Sequence, residues 1–287
     1  VSVSGVSGLN GEKWRLLSSI NEPMGRQLAL SEALLATMHE GSLPVLRWYV
    51  SEQPALVLGN GQKPEVVDFA ACRAASVEVF KRTSGGTAVL ADRYALSMEV
   101  ALPVTHPLAT GDIVRGYQWI GELWAQALRV LGSEEARAIP MEEVRALPPI
   151  PKDDPLRMAC YGTLSPYEAV VGQRKVVGLC QVRRRSAMLY QVGVHFRWQP
   201  EALVALLALP DGERASLAKR LHTTAAGLDE LTRRTISAGE VRDTVHNLLA
   251  ARLGVCPTRS AWTAAERAAA DRFQRERFEA LVPAPSA

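Results

Sequence analysis

Apolar residues at Leu28, Leu30, Leu34, Leu35 and Met38 recur at close to helical spacing, and Gly41 and Pro44 close that segment. The pattern predicts an amphipathic helix early in the chain. Residues 45–50 and 55–59 read as strands around a turn at 51–54, and 64–74 as a short helix with Pro64 at its start. A strand over 77–82 runs into Thr83-Ser84-Gly85-Gly86-Thr87, and 94–102 alternates apolar and polar as a further strand. Residues 113–131 predict a long helix carrying Trp119, Leu123, Ala127 and Val130. The Pro-rich, charged stretch 140–155 predicts a loop or flap, and its position invites closure over a site.

Runs over 167–171, 175–182 and 188–196 read as strands, joined by connections such as Gly172-Gln173-Arg174 that suit antiparallel hairpins. Beyond residue 200 the pattern is helical, over 201–209, 211–221, 238–253 and 263–281. Ser237 is placed to cap the third of these, with Glu240 at the capping-box position. The last helix is rich in Ala, Arg and Glu and reads as solvated with one packed face. No internal repeat is present. The expected organisation is a mixed α/β part over 12–199 followed by a helical extension over 200–287.

With 47% hydrophobic and 22% charged residues, the composition excludes wholesale disorder. Lys plus Arg is 33 against 30 for Asp plus Glu, a net charge of +3. That excess suits an acidic protein partner and is too small to argue for nucleic acid. The cysteines, Cys72, Cys160, Cys180 and Cys256, form no Cys-x-x-Cys pair, and no Cys/His cluster has zinc spacing, so no metal is expected. A chain of 287 residues does not depend on disulfides for its core, so reduced thiols and a cytoplasmic location are expected. Residues 1–11 are small and polar, without a basic-then-apolar signal pattern, and Val1 fits a non-Met start codon read literally. No run of about 18 apolar residues is present, so no membrane span is expected.

Three segments carry candidate chemistry. In Lys81-Arg82-Thr83-Ser84-Gly85-Gly86-Thr87-Ala88-Val89, adjacent glycines let the backbone approach a ligand and turn N–H groups towards an anion, while Arg82 offers charge-assisted donors. The segment is neither a Walker loop nor a Gly-x-Gly-x-x-Gly fingerprint, and alone it also fits a plain hairpin. In the second, Cys160-Tyr161 follows the Pro-rich stretch and precedes Tyr167-Glu168. A loop thiol can serve as a nucleophile, particularly where a cationic neighbour such as Arg157 favours the thiolate, although a single Cys is more often a small buried apolar residue. In the third, Lys175 lies in an otherwise apolar strand between Gly172 and Gly178, with Gln181 beyond. Directed into a pocket it would stabilise negative charge on a carbonyl or phosphate oxygen; otherwise it snorkels from an edge strand. The run Arg183-Arg184-Arg185 reads as a solvated basic turn that would help dock an acidic partner.

These segments, in this order, resemble the lipoate–biotin protein ligase superfamily, most closely its lipoate branch. That branch carries an Arg-x-Ser/Thr-Gly-Gly-x-x-Val loop and a glycine-led Lys-x-x-Gly-x-x-Gln strand, here residues 82–89 and 172–181. The likeness runs from about Trp14 to Phe196 and more weakly through the tail. It implies a mixed, largely antiparallel sheet flanked by helices, with a small helical C-terminal part. The branch holds octanoyltransferases of the cysteine type, cysteine-type amidotransferases, and ATP-dependent lipoate ligases. Cys160-Tyr161 followed by Tyr167-Glu168 looks like the first group. Ala91 before Asp92 is similar to the amidotransferase loop, where ligases and octanoyltransferases usually carry His, and Val192 likewise stands in a Gln-x-Gly that is often Gln-His-Gly.

The resemblance implies Cys160 as nucleophile and Lys175 as stabiliser of the oxyanion. Arg82, Ser84, Gly85, Gly86, Thr87, Ala88, Gly178 and Gln181 would contact the substrate, with Arg82 near the acyl head. The acceptor would be a lysine of a lipoyl domain or glycine cleavage H protein, and the donor an acyl carrier protein or free lipoate. A transferase would need no cofactor, whereas a ligase would need ATP and Mg²⁺. A non-catalytic acyl-binding relative is the alternative of another class.

Overall fold

The computed structural model describes residues 9, 11–18, 22–51 and 53–282; the expectations for the N-terminal stretch concern residues outside these, apart from Leu9 and Gly11. The strands are β1 (Arg15–Ser18), β2 (Val45–Tyr49), β3 (Ala55–Leu58), β4 (Glu78–Lys81), β5 (Val89–Ala91), β6 (Ala95–Pro103), β7 (Arg137–Ala138), β8 (Ala169–Val171), β9 (Arg174–Arg183), β10 (Ala187–His195) and β11 (Thr258–Arg259). The helices are α1 (Met24–Thr37), α2 (Phe69–Ala74), α3 (Gln118–Val130), α4 (Met141–Ala146), α5 (Pro200–Val204), α6 (Asp211–Thr224), α7 (Leu228–Thr232), α8 (Ala238–Leu253) and α9 (Ala264–Arg277).

Eight strands form one sheet in the order β11-β1-β2-β6-β10-β9-β8-β7, and three form a second, β4-β3-β5. Every pairing in the large sheet from β2 to β7 is antiparallel; β1 pairs parallel with both β2 and β11. This is the mixed, largely antiparallel sheet that the resemblance implied. The long β9–β10 hairpin continues into the nine-residue register between β10 and β6. Its apolar positions, with Trp48, Trp119 and Trp124, form the main core between the sheet and α3 and α8.

Several elements are shorter than the sequence pattern suggests, each for a local reason. The helix expected from 113 begins at Gln118, because the Asp112 carboxylate accepts the N–H groups of Val114 and Arg115 and holds them in a turn. The helix over 64–74 is split at Val67, which bridges to Leu207, and α2 restarts under an Asp68 cap. The same bridge ends α5 early, since the Asp68 N–H and the Leu206 carbonyl pair at 2.9 Å. The strand expected from 167 starts at Ala169, because Tyr167 is left-handed at φ 66°. Ser237 and Glu240 form the anticipated capping box on α8. The Pro-rich stretch is not a flap over a cavity: it contains α4, and Asp154 is held by a bidentate Arg220 of α6 at 2.8 Å.

Beneath α1 lies an ion pair with no exposure, Arg47 on β2 and Glu99 on β6, at 2.6 Å. Ser31 of α1 donates to Glu99 and accepts from Arg47, and Gln191 of β10 donates to Glu99 at 2.7 Å. One helix and three strands are thereby tied through a single carboxylate. Removing the carboxylate from a buried guanidinium is costly, so Glu99→Ala is expected to lower the unfolding free energy by about 3–5 kcal/mol. Urea titration followed by circular dichroism measures it, and a loss within the range of an ordinary surface substitution would refute the assignment.

Candidate active site

A cavity of about 520 Å³ is walled by α1, the 82–87 loop, the Cys160 turn, β9 and β10. One stretch of its wall is apolar, made by Met24, Leu28, Val57, Val89 and Ala91. Another is polar, with Arg82, Cys160, Thr163, Ser165, Lys175 and Gln181. An apolar pocket of this size with a few convergent polar groups is the usual form of a small-molecule site.

The glycine loop is shaped by two close approaches. A Cβ on Gly59 would lie 1.8 Å from the Gly86 carbonyl oxygen, so the strand and the loop meet only without a side chain there. Gly86 itself has φ 87°, and a Cβ on it would sit 2.7 Å from an Arg82 nitrogen and 3.8 Å from the Cys160 sulfur. The N–H groups of Gly85 and Gly86 find no acceptor among the described residues. Arg82 donates to the carbonyls of Gly85 at 2.8 Å, Thr87 at 2.9 Å and Val57 at 3.2 Å. Its guanidinium therefore braces the loop from within, although the side chain also borders the cavity.

Cys160, Lys175, Arg82, Gly85, Gly86, Thr87, Gly178 and Gln181 all line this cavity. Ser84 and Ala88 do not. The Ser84 hydroxyl is buried and accepts from the Cys180 thiol at 3.4 Å. Ala88 acts through its backbone: its N–H meets the Met158 carbonyl, and its carbonyl accepts the Cys160 N–H at 2.8 Å. That pair of bonds stitches the glycine loop to the cysteine turn. Gln181 donates to the Ile113 carbonyl at 2.8 Å and accepts from Arg183, which in turn donates to the carbonyls of Gly111 and Asp112. Both side chains hold the loop at the cavity rim, and Arg184 pairs with Glu32. Of the basic run expected to meet a partner, only Arg185 has no such commitment among the described residues.

Lys175 is buried and pairs with Glu168 at 2.5 Å. It donates to the Cys160 carbonyl at 2.9 Å and, more weakly, to that of Thr163 at 3.4 Å, with the Tyr161 ring 5.0 Å away. A Cβ on Gly178 would lie 3.1 Å from the Lys175 Cε, so Gly178 makes room for the lysine stem. Burial, the largest influence on Lys175, pulls its pKa down, but Glu168 more than offsets this with help from the nearby thiols, and the net direction is up. Burial pushes Glu168 up against the pull of Lys175. Burial likewise raises the Cys180 thiol.

Two ring side chains, Tyr161 and His195, line the wall beside Cys160, and Trp198 packs against both. Tyr161 donates to the Gly193 carbonyl at 2.7 Å, and its ring packs on His195 and Trp198 with centroids 4.9 and 5.0 Å apart. Burial pushes His195 down to about 4, so the ring is neutral at neutral pH. Ala91 and Val192, where the resemblance led to an expectation of His, both border the cavity. His195 lies on the same wall, whereas His106 is away from it, bonded to Glu12.

Sequence reasoning named neither Gly59 nor the Tyr161–His195–Trp198 cluster as site residues, and it read Glu168 only as part of a motif. An acid directly ahead of the apolar Ala169-Val170-Val171 was the available signal for Glu168. Among the described residues no group of three or more His, Cys, Asp or Glu is placed to hold a metal ion, and no helix is long and apolar enough to cross a membrane.

Comparison with known proteins identifies the family and the fold. The octanoyltransferase LipM of Kyrpidia tusciae is 31% identical over 265 residues, covering 91% of this chain and 95% of the relative. That of Geobacillus kaustophilus is 28% identical over 272 residues, covering 93% and 96%. A bipartite lipoate protein ligase from Thermoplasma acidophilum shares the fold with a TM-score of 0.73 at 20% identity, covering 93% of each chain. An ATP-bound lipoate-protein ligase A does so at 0.72 and 22%, covering 93% of this chain and 95% of its own. Residues 23–250 match the lipoyl protein ligase A/B catalytic domain, and the chain belongs to that family.

Proposed function

We propose that this enzyme transfers an octanoyl group from the thioester of an acyl carrier protein to a lysine of a lipoyl domain or glycine cleavage H protein, through a thioester on Cys160. The observation that carries the reading is the position of Cys160. Its sulfur stands against Gly86, on the wall of a cavity with an apolar side, and the Lys175 ammonium lies behind its carbonyl. Near-full-length similarity to relatives named octanoyltransferase supports it.

In the first half-reaction the Cys160 thiolate attacks the carbonyl carbon of the donor. A carbon–sulfur bond forms and the carbonyl electron pair moves onto oxygen. That oxyanion meets the N–H groups of Gly85 and Gly86 and the Lys175 ammonium. The 3.4 Å bond from Lys175 to Thr163 is the weakest of its contacts and the one most readily exchanged for the oxyanion. Collapse breaks the donor's carbon–sulfur bond, and the carrier leaves as a thiolate that takes up a proton. In the second half-reaction the neutral acceptor amine attacks the Cys160 thioester. The amide forms, the amine loses a proton, and Cys160 is released as thiolate. Exchange of one thioester for another followed by amide formation consumes no nucleotide. Arg82, with its guanidinium spent on three carbonyls, is not disposed as a free phosphate clamp.

Incubation with octanoyl-acyl carrier protein, without ATP, is expected to add the mass of one octanoyl group to the wild type and none to Cys160→Ser. Intact-protein mass spectrometry reads both. An adduct on neither protein would overturn the thiol route, and acceptor lipoylation by Cys160→Ser with ATP and free lipoate would replace it with the ligase reaction.

Lys175→Met is expected to slow Cys160 acylation at saturating donor by about 10²- to 10³-fold, the usual cost of losing one charge-stabilising donor. The KM for the carrier should stay close to the wild-type value. Rapid-quench kinetics makes the measurement, and a defect confined to KM would argue instead that Lys175 binds the donor.

A further inference from the structure

Among the described residues, three that are not glycine have left-handed backbone: Ser76, Tyr167 and Arg233. Ser76 and Arg233 are exposed, whereas Tyr167 is half-buried and directly precedes Glu168. A bulky residue persists in that region only where its surroundings impose it, and such positions concentrate at functional sites. The surroundings here are specific. The Tyr167 N–H donates to the Ile139 carbonyl at 2.7 Å, and the Ile139 N–H donates to the Glu168 carbonyl at 3.0 Å. The Tyr167 carbonyl presses against α3 where a Cβ on Gly121 would come within 2.0 Å of it.

The strained turn delivers one carboxylate. Glu168 accepts from the Ser165 N–H at 2.8 Å and the Leu179 N–H at 3.3 Å, and pairs with Lys175 at 2.5 Å, so both of its oxygens are used. Lys175 in turn spans to the carbonyl of Cys160. We propose that Glu168 is a positioning residue, which the left-handed turn at Tyr167 fixes so that it holds the Lys175 ammonium against the back of the Cys160 turn. This deepens the transferase reading and rests on it for the role of the ammonium, but the Glu168–Lys175 coupling is testable without acyl transfer.

The titratable groups that face Lys175 are Glu168 from the lead into β8, the Cys160 thiol, the Cys180 thiol on its own strand, and the Tyr161 phenol. Burial raises that phenol well above its ordinary value, so it stays neutral. His195, behind the Tyr161 ring, is also neutral. Glu168 is thus the carboxylate that opposes the effect of burial. Without its charge, burial favours the neutral amine, and Lys175 loses its proton as pH rises through a lowered pKa.

The chain has six lysines, so ¹³Cε-lysine labelling gives a spectrum in which Lys175 is assigned by its loss in Lys175→Arg. In the wild type its signal is expected to stay at the ammonium position through pH 9. In Glu168→Gln the midpoint is expected to move down into that range. At each pH, acylation of Cys160 relative to the wild type should then fall about tenfold per pH unit above the new midpoint. Glu168→Asp, which keeps the charge, is expected to keep the lysine protonated through pH 9, and thermal melting of both variants checks that they are folded. An unchanged Lys175 midpoint in folded Glu168→Gln would overturn the proposal, as would an acylation loss of equal size at every pH. Absence of any acyl adduct on the wild type would remove the transferase reading and leave the lysine titration to stand by itself.

Discussion

An ammonium group buried between strands is the constraint around which this site is arranged. Removing such a charge from water costs several kcal/mol unless a carboxylate and further acceptors replace its hydration. Lys175 has those replacements: Glu168, the Cys160 carbonyl and the Thr163 carbonyl. Each acceptor belongs to the segment between the Pro-rich stretch and β8, so satisfying the lysine also sets the path of the chain through the cysteine turn. Gly178 leaves space for the stem, and Gly162 lets the turn pass where a Cβ would meet the Leu156 carbonyl at 2.1 Å. The position of Cys160 is therefore a consequence of where a buried charge could be neutralised.

A second buried pair, Arg47–Glu99, governs the opposite wall. Its carboxylate accepts from Gln191, and the single S–H of Cys180 is shared between the Gln191 carbonyl oxygen at 3.5 Å and the Ser84 hydroxyl at 3.4 Å, at the base of the glycine loop. Polar contacts thus run from α1 under the cavity to the loop. Arg82 completes the arrangement by filling the loop with its own guanidinium. A guanidinium bonded to three carbonyls gives a Gly-Gly turn the rigidity that its composition lacks.

Much of this was legible in the sequence, and the exceptions share a cause. The strands β2, β3, β6, β9 and β10 announce themselves by apolar runs and alternation, and the pairing of a Gly-Gly loop with a lysine strand placed Cys160, Lys175 and six further residues on one cavity wall. What escaped depends on contacts between distant segments. β1 and β11 are short, and β11 exists only through β1: Thr258 N–H meets the Trp14 carbonyl across 244 residues. The value of Gly59 appears only when Gly86 is brought against it, and Tyr167 takes a backbone conformation that its residue type disfavours because α3 and Ile139 require it. Arg82 was assigned to a ligand because its charge suits an anion. In the fold its donors are claimed first by the carbonyls beside it.

The C-terminal segment belongs to the same logic. α9 packs on α1, and Ala269, Ala270 and Phe278 share an apolar cluster with Met24, Leu28, Val57 and Ala91, which also form the apolar wall of the cavity. Gly25 lets this contact close, since a Cβ there would lie 2.6 Å from the Phe278 carbonyl oxygen, and Arg26 ties the helices further through Asp271 at 2.6 Å. Met24 and Leu28 therefore face substrate space on one side and the tail on the other. A wall only one helix thick cannot hold an apolar-sided cavity open unless something backs it, because apolar side chains relax into unsupported space. The tail supplies that backing, so residues more than a hundred positions beyond Cys160 help to define the shape into which an acyl chain would fit.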